Sequence, residues 1–254
     1  ILKDYPIKNL VEYIDWTPFF HTWEMRGKFP DILTNEKYGN EAKNLFDDAN
    51  ELLEKIIKDN RLTADAVFGI FPAVSKHEQV SVANYTFKFP RQLIDKGQKN
   101  YNYSLADFIS PQEDWIGLFA VTTGKGIEQI IHEYEGQLDD YKVIMVKAIA
   151  DRLVEAFSEK LHHMIRTEYW GYSNEDGLSK LDLINEDYYG IRPAPGYPSC
   201  PDHAEKDVLW KILNVEKNIG ISLTENRAMY PASSVCGWYF SHPNSRYFSV
   251  LSNR

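Results

Sequence analysis

Residues 191–206, IRPAPGYPSCPDHAEK, gather an arginine, a tyrosine, a cysteine, a histidine and two acids among prolines and a glycine. Pro193 and Pro195 each fix φ and remove an amide donor. The residues ahead of them are pushed toward extended backbone. Arg192-Pro-Ala-Pro-Gly is therefore expected to be a stiff extended ribbon whose carbonyls lack local partners. Gly196 permits a turn or a close backbone approach that a side chain would block. Arg192 stands at one end and Tyr197 at the other. A guanidinium grips a carboxylate with two parallel hydrogen bonds, and free carbonyls suit an ammonium or an adenine amino group. Together these features fit a zwitterionic amino acid, or a nucleoside that carries one. On spacing alone, a rigid connector without a ligand fits equally well.

Other stretches carry weaker chemistry. In YIDWTPFFHTWEMRGKFP, Asp15 precedes Trp16, Phe19, Phe20 and Trp23. An acid beside aromatic rings can hold a cation; Asp15 can equally cap the turn into a helix through Thr17 and Pro18. TTGKGIEQI lacks the third glycine of a dinucleotide loop and is expected to be a strand-to-helix turn. His162, His163 and His203 show no metal-ligand spacing, so no metal is expected. The first two are expected to be solvated helix positions and His203 a first-turn residue. No Gly-x-Ser-x-Gly elbow occurs.

The elements that must position these residues are legible from periodicity. Residues 40–60 form an apolar stripe through Ala42, Leu45, Ala49, Leu52, Leu53 and Ile56, which predicts a helix. AVFGIFPAV predicts a short buried strand stopped at Pro72, EQVSVANYTFKF a further strand, and DWIGLFAVTTG another. Residues 139–167 predict a helix spanning about 40 Å. Its apolar stripe includes Met145, Ile149, Leu153, Phe157 and Leu161, while Asp151, Glu155, Glu159 and Arg166 fall on a different stripe. AEKDVLWKILNVEKNIG predicts a shorter helix with Asp202 and Glu205 as a capping box and Gly220 as its stop. The tail predicts two β segments joined by a His-Pro-Asn-Ser turn.

Strands and helices mix without regular βαβ alternation. The expected fold is α+β: one domain over residues 1–254, with a largely antiparallel sheet and several long helices. The 37 acids outnumber the 28 bases, a net charge of -9 that repels phosphate backbones, so no nucleic-acid partner is expected. Cys200 and Cys236 are too few for a disulfide framework and point to a reducing, cytoplasmic setting. No apolar run approaches the ~20 residues of a membrane helix, so no membrane partner is expected either. The start, ILKDYPIKNL, lacks methionine and signal-peptide order, as a fragment of a longer chain would.

The chain also resembles a known family. IDWTPFF, GNEAKNLFDDANELLEK, LADFISP, DDYKVIMVKAIADRLVEAFSEKLH, YWGY, GIRPAPGYPSCPDHAEK and LTENRAMYPASSVCGWYFSHPNSRYF run in order over nearly the whole length. They resemble the C-terminal activation domain of cobalamin-dependent methionine synthase, which binds S-adenosylmethionine. The resemblance implies that the antiparallel sheet is curved, and it implies a reactivation role. The activation domain docks over the cobalamin-binding domain and presents S-adenosylmethionine. An electron from flavodoxin or a flavoprotein reductase then lets the methyl group pass to cob(II)alamin. It also implies a ligand site at Asp15, Arg192, Ala194 through its backbone, Gly196, Tyr197 and Tyr247, with Glu155 and Glu186 near the methyl-donor end. No side chain is expected to act as acid or base. The chain contains no Asp-x-His-x-x-Gly string for a cobalt ligand, so the resemblance implies that cobalamin comes from another segment and that this chain alone makes no methionine. Position 248 is Phe where some relatives carry Tyr, which leaves no hydroxyl there. The alternative is a docking module that bridges the cobalamin domain and a reductase without binding S-adenosylmethionine.

Overall fold

The computed structural model describes residues 1–93, 101–174 and 178–250. The elements run β1 (Leu2–Tyr5), α1 (Thr17–Thr22), α2 (Gly39–Lys58), β2 (Thr63–Lys76), β3 (Gln79–Val82), β4 (Tyr85–Lys88), β5 (Asp114–Lys125), α3 (Ile127–Gly136), α4 (Asp140–Met164), α5 (Lys180–Ile184), α6 (Glu205–Leu213), α7 (Val215–Ile219), β6 (Ser222–Leu223), β7 (Met229–Tyr230) and β8 (Ser234–Tyr239). The main sheet has the order β4-β3-β2-β5-β8, with β1 also on β2. Every strand pairing in it is antiparallel. The fold is α+β with a curled antiparallel sheet; the patterning predicted the class and the antiparallel pairing, and the resemblance the curvature. No helix among the described residues is long and apolar enough to cross a membrane.

Both long periodic segments are helices. The predicted stripe of α2 is buried at Ala42, Leu45, Ala49, Leu52, Leu53 and Ile56. In α4 the stripe from Met145 through Leu161 packs against the sheet. The side chains of β5 alternate between two cores. Phe119 and Val121 join α2 and α4 on one face. Ile116, Leu118 and Ala120 join α6, α7 and Trp238 on the other.

Five local expectations need correction. β2 does not stop at Pro72, which pairs with Trp115 of β5. Pro72 sits between the β1 pairing that ends at Ala66 and the β3 pairing that begins at Ala73. The strand has one partner there, so a missing donor is tolerated. EQVSVANYTFKF is not one strand but the hairpin β3-β4, which reverses at Ala83 in left-handed backbone (φ 51). The predicted helix after residue 204 breaks at Asn214 (φ 47) into α6 and α7, although Gly220 does end it. Its capping box is absent. Asp202 accepts from the Ala204 amide, and Glu205 reaches across to accept from the Lys88 amide at 3.0 Å. Past the His242 turn the described residues of the tail form no strand. It is clamped to the ribbon by the Ser199 hydroxyl, which donates to the Phe248 carbonyl at 2.7 Å, and by the Val250 amide, which donates to the Pro198 carbonyl.

The proline ribbon lies against the end of β8. Ile191 and Phe240 exchange two backbone hydrogen bonds (3.1 and 3.0 Å), and the Trp238 amide donates to the Pro193 carbonyl at 3.0 Å. Gly237 makes this approach possible, because a Cβ there would collide with that carbonyl oxygen. Gly237→Ala is therefore expected to destabilise the fold by about 1–3 kcal/mol, in the range of an overpacked core. Chemical denaturation of the variant measures it, and an unchanged midpoint would refute the packing role.

Candidate ligand-binding site

The site begins with the stiffness of the ribbon. Gly196 adopts left-handed backbone (φ 93), and a Cβ there would collide with the ring of His203. Glycine is thus required twice over, by backbone conformation and by space. The Gly196 amide donates to the Cys200 carbonyl at 2.8 Å, and the Cys200 amide returns a bond to Tyr197 at 2.9 Å. The expectation of unpartnered carbonyls needs correction. Pro193 gives its oxygen to Trp238, and Ala194 gives its own to the Tyr197 amide at 3.3 Å.

The second wall is the polar stripe of α4, which the ribbon covers. Glu159 and Arg166 are buried and Glu155 is half-buried. Buried charges must be paired, and these are. Glu159 Oε2 meets Arg192 Nη1 at 2.6 Å and accepts from the Tyr188 hydroxyl at 2.9 Å. Glu159 Oε1 faces Arg166 Nη1 at 3.5 Å, and the Arg166 guanidinium lies 3.6 Å over the Tyr188 ring. The other prong of Arg192, Nη2, meets Glu186 Oε1 at 3.0 Å. The Arg192 amide donates to the Tyr247 hydroxyl at 3.0 Å, which itself reaches Glu186 at 3.5 Å. Burial works against the charge of Arg192, yet Glu159 and its neighbours hold it firmly protonated. Burial also pushes the Glu186 carboxyl above its usual range, against the pull of Arg192.

These residues border a cavity of about 500 Å³ lined by Glu155, Glu186, Arg192, Ala194, Tyr197 and Tyr247, with Phe119, Val235, Pro198 and Phe248 as its apolar side. An adjoining cavity of about 160 Å³ is lined by Asp15, Glu155, Glu159 and Arg192. Asp15 therefore opens onto the smaller space, and its Oδ1 also accepts the Thr17 amide at 2.9 Å; this closes the turn ahead of α1, whose N-cap is Trp16 rather than Asp15. Gly196 shapes the ribbon from behind. Arrangement and volume suit a ligand with one anionic and one cationic group beside a flat apolar part.

Sequence reasoning missed Tyr188 as a hydrogen-bonding partner and Glu159 as a buried hub. A signal existed for the hub: Glu155, Glu159 and Arg166 share one helical face at spacings of four and seven. His162 is not solvated. It is fully buried, stacked on Tyr239 at 4.9 Å, with Nε2 3.2 Å from the Tyr172 hydroxyl. Neither cysteine is poised as a nucleophile, since burial raises both thiols to about 12. No cluster of three metal-ligating side chains occurs among the described residues.

Comparison with known proteins follows this geometry. The family model described as vitamin B12 dependent methionine synthase, activation domain, matches residues 6–252. The chain also superposes on a crystal structure of the MetH reactivation domain bound to AdoHcy. That match has a TM-score of 0.94 and 46% sequence identity, and covers 98% of this chain and 80% of that one.

The buried ring of His162 yields a pH dependence. Burial, then Arg166 and Arg192, hold its pKa well below the ordinary value of 6.5. The unfolded chain therefore binds this proton more tightly than the folded one. The stability is complete above about pH 6.5 and is lost as pH falls toward the depressed value, by up to about 1.4 kcal/mol per pH unit. Denaturant midpoints between about pH 7 and pH 5 test this, with a shallower slope expected for His162→Gln. An equal slope in that variant would refute the assignment.

Proposed function

The chain belongs to the vitamin B12 dependent methionine synthase activation-domain family, and from that premise we propose that residues 1–254 bind S-adenosylmethionine as the reactivation unit of a methionine synthase. The observation that carries the proposal is the cavity shared by Arg192, Glu155, Glu186, Ala194, Tyr197 and Tyr247. The bound AdoHcy of the similar reactivation domain supports it. Arg192 offers the carboxylate grip and Asp15 a partner for the ammonium. Glu155 and Glu186 oppose the sulfonium charge. The apolar side at Phe119, Val235 and Phe248 takes the adenosine.

The chemistry needs positioning and charge compensation more than proton transfer. Cobalamin, carried by another domain of the same enzyme, would accept the methyl group together with one electron from flavodoxin or a flavoprotein reductase. This chain's residues hold the sulfonium in place, keep water from the apolar side and expose the methyl group. The setting is the cytoplasm, where two unpaired buried cysteines stay reduced.

Calorimetric titration of the purified chain with S-adenosylmethionine and S-adenosylhomocysteine tests the reading. Wild-type protein that binds neither at millimolar ligand would leave the docking-only alternative standing. Arg192→Ala is expected to lower affinity roughly 10- to 100-fold, the loss of a charged hydrogen bond worth about 1.5–3 kcal/mol. Arg192→Lys should recover only part of it, since a point charge does not reproduce the fork, and Tyr197→Phe should cost less than either. Thermal melts check folding, because Arg192→Ala also strips Glu159 of a partner. Unchanged binding by folded Arg192→Ala protein would refute Arg192 as the anchor.

A further inference from the structure

Arg192 has two carboxylate partners of different character. Glu159 is enclosed, with its side chain 8% exposed, and is tied also to Tyr188 and Arg166. Glu186 is 31% exposed and holds only the Nη2 prong, with a long 3.5 Å contact to the Tyr247 hydroxyl as its other partner. Glu186 sits in left-handed backbone (φ 57) just past the short helix α5. Both Glu186 and Nη2-bearing Arg192 line the 500 Å³ cavity. An incoming carboxylate therefore meets a guanidinium whose two prongs are both taken by carboxylates of the protein, Glu186 being the more exposed of the pair.

We propose that Glu186 is a built-in surrogate for the ligand's carboxylate, and that exchange between the two makes the site specific for zwitterionic amino-acid ligands. The inference rests on the reading that S-adenosylmethionine or its product binds this cavity. On binding, the ligand carboxylate replaces Glu186 on Arg192 Nη2, and Glu186 turns to the ligand's ammonium or sulfonium. Each charge keeps a partner throughout. An anion without a cation would leave Glu186 unpaired in a partly buried site, which is costly. A cation without a carboxylate has nothing to offer Arg192 and leaves the surrogate in place. Burial already raises the Glu186 carboxyl despite the guanidinium beside it, which fits a partner that gives way. Glu159 is not suited to this part, since it is enclosed and tied to Tyr188 and Arg166 as well as to Arg192.

The experiment compares wild type with Glu186→Gln and Glu186→Asn by calorimetry, using S-adenosylhomocysteine and its deaminated form, which keeps the carboxylate and lacks the ammonium. Asparagine serves as second variant because it tolerates left-handed backbone. Removing the surrogate's charge spares the deaminated form an unpaired Glu186 and is expected to tighten its binding about three- to tenfold, the scale of one partly screened ion pair. S-adenosylhomocysteine gains a freer guanidinium but loses the carboxylate beside its ammonium, so its affinity should change by less than about threefold. An equal gain for both ligands, or unchanged or weaker binding of the deaminated form by a folded variant, overturns the exchange. Wild-type protein that binds no S-adenosylhomocysteine overturns the ligand reading itself and this inference with it.

Discussion

One carboxylate sets the electrostatics of the whole groove. Glu159 stands between two guanidinium groups, one fully enclosed and one facing the cavity. A buried guanidinium without a counter-charge is untenable, and removing one partner of such a pair typically costs about 3–5 kcal/mol. The α4 polar face, the Tyr188 ring and the start of the ribbon are therefore locked into one arrangement. The position of Arg192 is decided before any ligand arrives. Second-rank contacts such as Tyr247 on the Arg192 amide then orient its backbone.

The ribbon holds its shape by a different route from the strands. It has only three backbone hydrogen bonds to β8 and the residue beyond it, two at Ile191 and one at Pro193. Proline rings replace the missing ladder by fixing φ; Gly237 removes the atom that would hold β8 off the Pro193 carbonyl, and Gly196 does the same for the ring of His203. Stiffness thus comes from covalent rings and close backbone contact rather than from a continuous sheet. Such an element can border a cavity without presenting an edge that invites another strand.

Fold class, both long helices and the central strand were legible in the sequence because period and apolar content agree there. What was not legible depended on long-range partners. Pro72 stays within a strand because its neighbour strands change at that point, and nothing local says so. The β3-β4 reversal occurs at Ala83-Asn84, where Asn84 alone carries a turn preference and no glycine or proline marks the break. Glu205 looks like a capping residue by spacing, but Lys88 on a distant strand claims it. The site itself was partly legible: Arg192, Gly196 and Tyr197 announce themselves by the prolines around them. Glu155 and Glu186 entered through resemblance. Glu159, Arg166 and His162 carry polar identities that predict exposure, and only the covering segment from Tyr188 to Arg192 reveals their burial.

The double-sided character of β5 has a further consequence. From Gly117 to Thr122 it is hydrogen-bonded to β2 on one edge and to β8 on the other, while its side chains feed both apolar cores. No partial opening can release these amides while either core persists. They belong to the slowest-exchanging class, whose protons trade with solvent only through global unfolding. The ribbon, by contrast, keeps its amides on side-chain and turn partners, Arg192 on Tyr247 and Gly196 on Cys200, so its protection follows the groove's own contacts rather than the sheet.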